Sequence, residues 1–279
     1  MNVKRILDVV VISDIHLGTY GCHAKELLRY LKSVHPRKLI LNGDIIDIWN
    51  FRKSYFPPSH LKVINRILKM STQGVEVIYI TGNHDDFLRK YTDLKIGGLS
   101  VVNQYVMELN DCKHWIFHGD VFDATTSGSA KLLARLGGKG YDLLILLNRF
   151  INWCLQRLGR PKMRFSKTVK DGVKRAVSWI GDFEMKAAHM AIQQGFDVVI
   201  CGHIHKQQDR EIETEYGTIR YLNSGDWVEN LTALEYNRGK WNLYQYEESN
   251  FEQFEETDQD VELSAVNMLQ LLKLHQQKA

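Results

Sequence analysis

Five short polar fragments, each following an apolar run, constrain this 279-residue chain more than any other feature. In chain order they are Asp14-Ile15-His16, Gly43-Asp44-Ile45-Ile46-Asp47, Gly82-Asn83-His84-Asp85, His118-Gly119-Asp120 and Gly202-His203-Ile204-His205. A short β-branched run bounded by turn residues reads as a buried strand. The fragments therefore mark strand ends, where side chains from distant parts of the chain can meet. They supply carboxylates, imidazoles and one carboxamide. That set suits Mn²⁺, Fe²⁺ or Zn²⁺, and its imidazole share argues against Mg²⁺ alone. A lone His is more often structural, which is the reading for His23, His35, His60, His114, His189 and His275. An Asp after Gly is commonly a turn residue. Seven ligand-type residues recurring at strand ends are hard to explain that way.

Asp14 and His16 alternate at a strand end and reach one ion if the backbone bends there. Asp44 has two oxygens with which to bridge two ions. Asn83, His118, His203 and His205 complete the set of candidate ligands. Two adjacent divalent ions can clamp the oxygens of a phosphoryl group, which points to hydrolysis of a phosphate ester or anhydride. His84, not needed as a ligand, is the candidate catalytic group, donating a proton or stabilising charge on the phosphoryl group. Asp85 is expected to orient it. Asp47 and Asp120 are expected to accept the outward N–H of ligand imidazoles.

Strands are expected near 6–13, 38–42, 75–81, 113–117 and 197–201, with helical patterns at 23–34 and 60–72 between the first three. That alternation describes βαβ units. Runs at 217–222, 231–236 and 241–246 lie closer together and read as an antiparallel group. Strands of both kinds can build two packed sheets with helices outside. Strand signals stop between Asp123 and about Met185, where Leu132, Leu136, Leu143, Leu147, Phe150, Ile151, Cys154 and Leu158 recur at helical spacing. The chain thus divides into a first core part (1–123), a helical insertion (124–185), a second core part (186–248) and an acidic, then helical, tail (249–279). The tail helix, Val261 to Leu274, either packs on the core or binds a partner.

The net charge of +3 is too small to argue for nucleic acid, but it hides an uneven distribution. Residues 130–176 hold twelve Lys/Arg against two acids, and residues 247–262 hold eight acids and no base. Four cysteines without paired spacing read as reduced thiols of a cytosolic protein. The N-terminus lacks signal-peptide character, and no stretch reaches the roughly 18 apolar residues of a spanning helix.

Residues 143–155 are apolar on more than one helical face and must be covered by protein, acyl chains or membrane. Basic residues beside them can attract anionic headgroups or substrate phosphates. Arg157, Arg164, Ser166, Lys167 and Lys170 are the candidate substrate contacts. The insertion is either a cap with its own core and a solvated basic face, or a lid for a phosphorylated amphiphile. Exposed aromatics for base stacking are sparse there, which disfavours a nuclease.

The ordered motifs D-x-H, G-D-x-x-D, G-N-H-D, H-G-D and G-H-x-H resemble those of calcineurin-like metallophosphoesterases across most of residues 8–226. The resemblance implies a four-layer α/β/β/α sandwich core with two divalent metal ions at the strand ends. Asp14, His16, Asp44 and His205 would hold one ion; Asp44, Asn83, His118 and His203 would hold the other. His84 would act at the phosphoryl group. Within that superfamily the chain looks most like the UDP-2,3-diacylglucosamine diphosphatases of lipid A synthesis. Chain length, Trp49 after the second motif, Phe87 after the third and the helical insertion are the pointers. That family implies Mn²⁺, cleavage to UMP and 2,3-diacylglucosamine 1-phosphate, and work in the cytoplasm at the inner membrane, with the insertion gripping the acyl chains. Typical members carry Arg where this chain has His84, which instead follows the general superfamily pattern. A phosphodiesterase or pyrophosphatase acting on a soluble nucleotide is the alternative enzyme. A scaffold that lost catalysis would be expected to lack ligands, and none is missing.

Overall fold

The computed structural model describes residues 4–47, 55–125, 157 and 165–251. Two sheets pack face to face. The first holds seven strands in the order β12-β11-β1-β2-β3-β5-β4. Its centre is parallel: β1 (Arg5–Ile12), β2 (Val34–Asn42), β3 (Glu76–Ile80) and β5 (Leu99–Val102). The edges are antiparallel, with β4 (Lys95–Ile96) beside β5, and β11 (Thr232–Asn237) joining β1 to β12 (Lys240–Gln245). The second sheet runs β6 (Gln104–Leu109), β7 (Cys112–Phe117), β8 (Val198–Cys201), β10 (Gly217–Asn223), β9 (Gln208–Thr214).

Period-two alternation along β1 assigns its side chains to layers. Val9 and Val11 face the second sheet, in a core with Ile40, Ile78, Ile116, Ile200 and Leu222. Val10 and Ile12 face outward into a second core with Leu27, Leu31, Val63 and Met70, contributed by α1 (Ala24–Ser33) and α2 (Pro58–Thr72). Both helices bury residues three and four apart, as one-sided packing requires. Arg66 of α2 donates from Nε and Nη2 to the Leu31 carbonyl at 3.1 and 2.8 Å, satisfying an acceptor that the end of α1 leaves open. On the far side α3 (Phe165–Gln193) covers the second sheet with Trp179, Phe183, Ala187, Ala188 and Ala191. The layers are therefore helix, sheet, sheet, helix.

The five expected strands and both intervening helices are present, within a few residues at most ends. The late strands are not one antiparallel group. β11 and β12 form a hairpin in the first sheet, whereas β10 lies in the second, parallel to β8 and antiparallel to β9. Helix α3 runs unbroken through position 185, where the sequence places the end of the insertion. Most of residues 124–164 and the acidic tail beyond Phe251 lie outside the described residues. Among the described residues no helix is long and apolar enough to cross a membrane.

Candidate metal centre

The motif loops leave the ends of β1, β2, β3, β7 and β8, the carboxyl ends of mutually parallel strands, where open α/β sheets place their ligands. Five of their residues are non-glycine yet left-handed: Asp14 (φ 52°), His16 (φ 54°), Asp44 (φ 55°), His203 (φ 69°) and His205 (φ 53°). Such backbone costs on the order of 1 kcal/mol or more per residue and persists only where its surroundings enforce it. Here the surroundings are other motif loops. Asp14 donates its N–H to the Gly43 carbonyl (3.1 Å), His16 to Asp44 (3.0 Å) and Leu17 to Ile45 (2.9 Å), while Gly202 donates to His118 (3.0 Å).

The carboxylates are held in the same cross-loop manner. Asp14 Oδ2 accepts the His203 N–H at 3.0 Å, and Asp44 Oδ1 accepts the His84 N–H at 2.8 Å. Both side chains are fully buried, and the remaining oxygens, Asp14 Oδ1 and Asp44 Oδ2, have no hydrogen-bond donor. Imidazoles face these oxygens. His205 Nε2 lies 3.3 Å from Asp14 Oδ1, and His118 Nε2 lies 3.2 Å from Asp44 Oδ2. His16 Nε2 is 4.0 Å from Asp44 Oδ2 on another side.

The opposite ring nitrogens are anchored. His16 Nδ1 meets Asp47 at 3.1 Å, His118 Nδ1 the Asn42 carbonyl at 2.8 Å, and His205 Nδ1 Asp226 at 3.2 Å. In the neutral tautomer with Nδ1–H donating outward, each Nε2 turns a lone pair towards a carboxylate oxygen, a place that a proton or a metal ion can fill. Two lone pairs so close repel unless a cation lies between them. Among the described residues, three sets have donor atoms all within 4.8 Å of one another: Asp14, His16 and His205; His16, Asp44 and His84; and Asp44, His118 and His203. Asp44 takes part in two of them, as a bridging ligand would. Buried oxygens without donors and imidazoles with outward anchors fit divalent ions. Asn83 is half-buried beside them, with its Oδ1 shielded from solvent.

The electrostatics agree. Burial alone would lower the His118 pKa, but the adjoining Asp44 carboxylate, with further help from Asp14 and Asp120, holds it up at about 10. Burial likewise pushes Asp44 up, yet His118, His16 and His84 outweigh it and keep Asp44 well below the usual carboxylate range. A divalent ion would take over the neutralising role of the imidazole proton.

His84 closes the centre from the third loop, its ring edge-on to His16 with centroids 4.7 Å apart. Its Nδ1 lies 3.0 Å from Asp47 Oδ1. One carboxylate thus serves both His16 and His84. Asp85, expected to orient His84, instead accepts the Tyr79 hydroxyl (2.6 Å), the Gly82 N–H (2.6 Å) and the Ile45 N–H (2.9 Å). It ties the third loop to the second. Asp120, expected to anchor a ligand imidazole, is bound by Arg89 at 2.5 Å, and His118 uses the Asn42 carbonyl. Sequence reasoning missed Asp226. Besides His205, it accepts the N–H groups of Val228, Glu229 and Asn230 at 3.0, 2.7 and 2.8 Å. Burial raises its pKa, but His205 and these N–H groups bring it down to about 2.

Of the expected substrate contacts, Arg157 is exposed, and Ser166, Lys167 and Lys170 lie on the first turns of α3. The side chains of those three, and Arg164 as a whole, lie outside the described residues.

Several curated relatives cover most of the chain, each a UDP-2,3-diacylglucosamine hydrolase. The protein from Neisseria meningitidis serogroup B is 30% identical over 231 residues, 80% of this chain and 91% of the relative. That from Porphyromonas gingivalis is 24% identical, covering 77% of this chain and 88% of its own. The Aliivibrio fischeri protein is 20% identical, covering 86% and 99%. The calcineurin-like phosphoesterase family model matches residues 7–207, the span from β1 to the loop after β8 that contains all five motifs. This chain therefore belongs to the calcineurin-like phosphoesterases and is a metal-dependent hydrolase of phosphoric esters.

Proposed function

We propose that the chain hydrolyses the pyrophosphate of UDP-2,3-diacylglucosamine, giving UMP and 2,3-diacylglucosamine 1-phosphate. The likeness to the Neisseria hydrolase carries this reading, because it extends over 231 residues, beyond the metal loops alone. Asp14, His16, Asp44 and His205 would hold one ion, and Asp44, Asn83, His118 and His203 the other. Two such ions, Mn²⁺ by resemblance and Fe²⁺ or Zn²⁺ by donor type, would supply Lewis acidity to the phosphoryl oxygens.

The chain's own residues do the rest. Water adds to the uridine-side phosphorus, and the bridging oxygen leaves with the sugar phosphate. His84 belongs to the same centre, with its Nδ1 3.0 Å from Asp47 Oδ1. It either donates a proton to the departing oxygen or stabilises charge on the phosphoryl group. Arg157, Arg164, Ser166, Lys167 and Lys170 would contact the amphiphilic substrate from the insertion. In this reading the enzyme works in the cytoplasm, in peripheral contact with the inner membrane.

His84 favours a second reading, a pyrophosphatase or phosphodiesterase for a soluble nucleotide, because the diacylglucosamine enzymes typically carry Arg there. Incubation with UDP-2,3-diacylglucosamine and Mn²⁺, assayed for UMP, separates the two. Absence of UMP alongside rapid cleavage of a soluble dinucleotide pyrophosphate would reject the lipid substrate.

A further inference from the structure

The loop after His16 carries an aromatic arrangement that the metal chemistry does not use. Tyr20 is 71% exposed, yet its ring lies on that of Tyr55 with centroids 3.8 Å apart and planes inclined by 36°. Beneath the pair sits His60, which is 2% exposed and meets Tyr55 edge-on at 5.9 Å and Phe56 edge-on at 5.4 Å. His60 Nδ1 accepts the Gly18 N–H at 2.9 Å, so the same buried ring supports both the tyrosine stack and the loop.

That loop is anchored to the metal centre. Thr19 donates to the His16 carbonyl from both its N–H (3.2 Å) and its hydroxyl (2.9 Å). Asp47 donates its N–H to the Leu17 carbonyl at 2.9 Å. A turn closed from residue 16 to 19 keeps their Cα atoms within about 7 Å, and one more step adds about 3.8 Å. Tyr20 therefore stands within roughly 11 Å of His16, Cα to Cα. A large ring this exposed would ordinarily be mobile. Stacking holds one face against Tyr55 and leaves the other open to solvent, at a fixed offset from the phosphate-binding position.

We infer that the Tyr20–Tyr55 stack is a platform for the base of a nucleotide whose phosphate occupies the metal centre. The inference rests on the nucleotide reading above and adds a binding site to it. An aromatic face accepts any base, because every base has a π-surface. The platform therefore selects for a nucleoside and leaves the choice of base to other groups. A tyrosine suits this role, since its rigid ring offers contact area at low entropic cost.

Calorimetric binding of UMP and of ribose 5-phosphate to the Mn²⁺-loaded protein isolates the base, because both ligands carry the same phosphate. The wild type should bind UMP more tightly. Tyr20→Ala should shrink that preference by roughly 5- to 150-fold, the range for one base–aromatic stack, and leave ribose 5-phosphate unaffected. Tyr20→Phe and Tyr20→Trp should preserve the preference. An unchanged preference in Tyr20→Ala overturns the platform while leaving the nucleotide reading intact. Equal binding of the two ligands by the wild type rejects the nucleotide reading and the platform with it. Loss of ribose 5-phosphate binding in Tyr20→Ala also overturns the platform, since the loop would then serve only to support His16.

Discussion

Asp226 sits 3.2 Å from His205 Nδ1 and, through its other oxygen, caps the turn at residues 228–230. The two roles separate by substitution. Asp226→Asn keeps an oxygen for the backbone N–H groups but removes the charge that steadies His205. We expect it to lose roughly 10- to 100-fold in metal affinity or activity, the usual effect of removing a ligand's outer partner. Its melting temperature should stay close to wild type, whereas Asp226→Ala should lose stability as well. Equal metal affinity in wild type and Asp226→Asn would deny the orienting role.

His84 and Asp47 separate chemistry from metal binding. His84→Ala should lower kcat by roughly 10²- to 10⁴-fold at unchanged metal content, as for loss of a positioned acid. Asp47→Ala should lower both, because its two oxygens serve His16 and His84. His84→Arg decides what the imidazole does. If it supplies charge, Arg retains much of the rate; if it donates a proton, Arg behaves like Ala. Metal content is read by elemental analysis and kcat by UMP release.

These residues differ in how legible they were. The candidate ligands stand out in the sequence because each lies within a few residues of a strand end, where local pattern and chemistry coincide. Asp226 follows Gly225 after β10, the same Gly-Asp-after-strand signal as Gly43-Asp44, but 21 residues separate it from the imidazole it serves. Asp85 was misassigned for the opposite reason. It adjoins His84 in sequence, yet its carboxylate turns back to Gly82 and across to Ile45. The strands missed, β4, β5, β6 and β9, are short or lie at sheet edges, where solvent contact dilutes the apolar pattern. The division of the late strands between sheets is a tertiary choice that local periodicity does not encode.

Stability should fall in mild acid through His114. Its Nδ1 lies 3.0 Å from the Cys112 carbonyl and its Nε2 accepts the Trp241 indole N–H at 3.0 Å, so the neutral ring is the one that fits. Burial, the largest influence, holds its pKa below the ordinary 6.5. Above 6.5 both folded and unfolded rings are neutral and the contribution is complete. As pH falls through 6.5 the unfolded chain takes up the proton first, and stability is lost. His114→Phe cannot incur that penalty. Its stability deficit against wild type, measured by urea unfolding, should therefore narrow between pH 8 and pH 5. A deficit constant with pH would mean the ring titrates alike in both states.

Two glycine-to-alanine changes should have opposite signs. A Cβ at Gly82 would lie 2.5 Å from the Asp44 nitrogen, closer still to its Oδ1, and 3.0 Å from His118 Cδ2. Asp44 cannot retreat without releasing the His84 N–H that fixes its orientation. Gly82→Ala should cost about 1–3 kcal/mol of stability, as overpacking does, and weaken metal binding. Gly181, inside α3, has nothing within 4 Å of an added Cβ and no left-handed backbone. Gly181→Ala should stabilise by about 0.5–1 kcal/mol, because alanine restricts the unfolded chain and favours the helix. For a chain of this size that is a rise of roughly 1–4 °C in melting temperature, with metal affinity unchanged. A destabilised Gly181→Ala would mean that this part of α3 packs against groups lying outside the described residues.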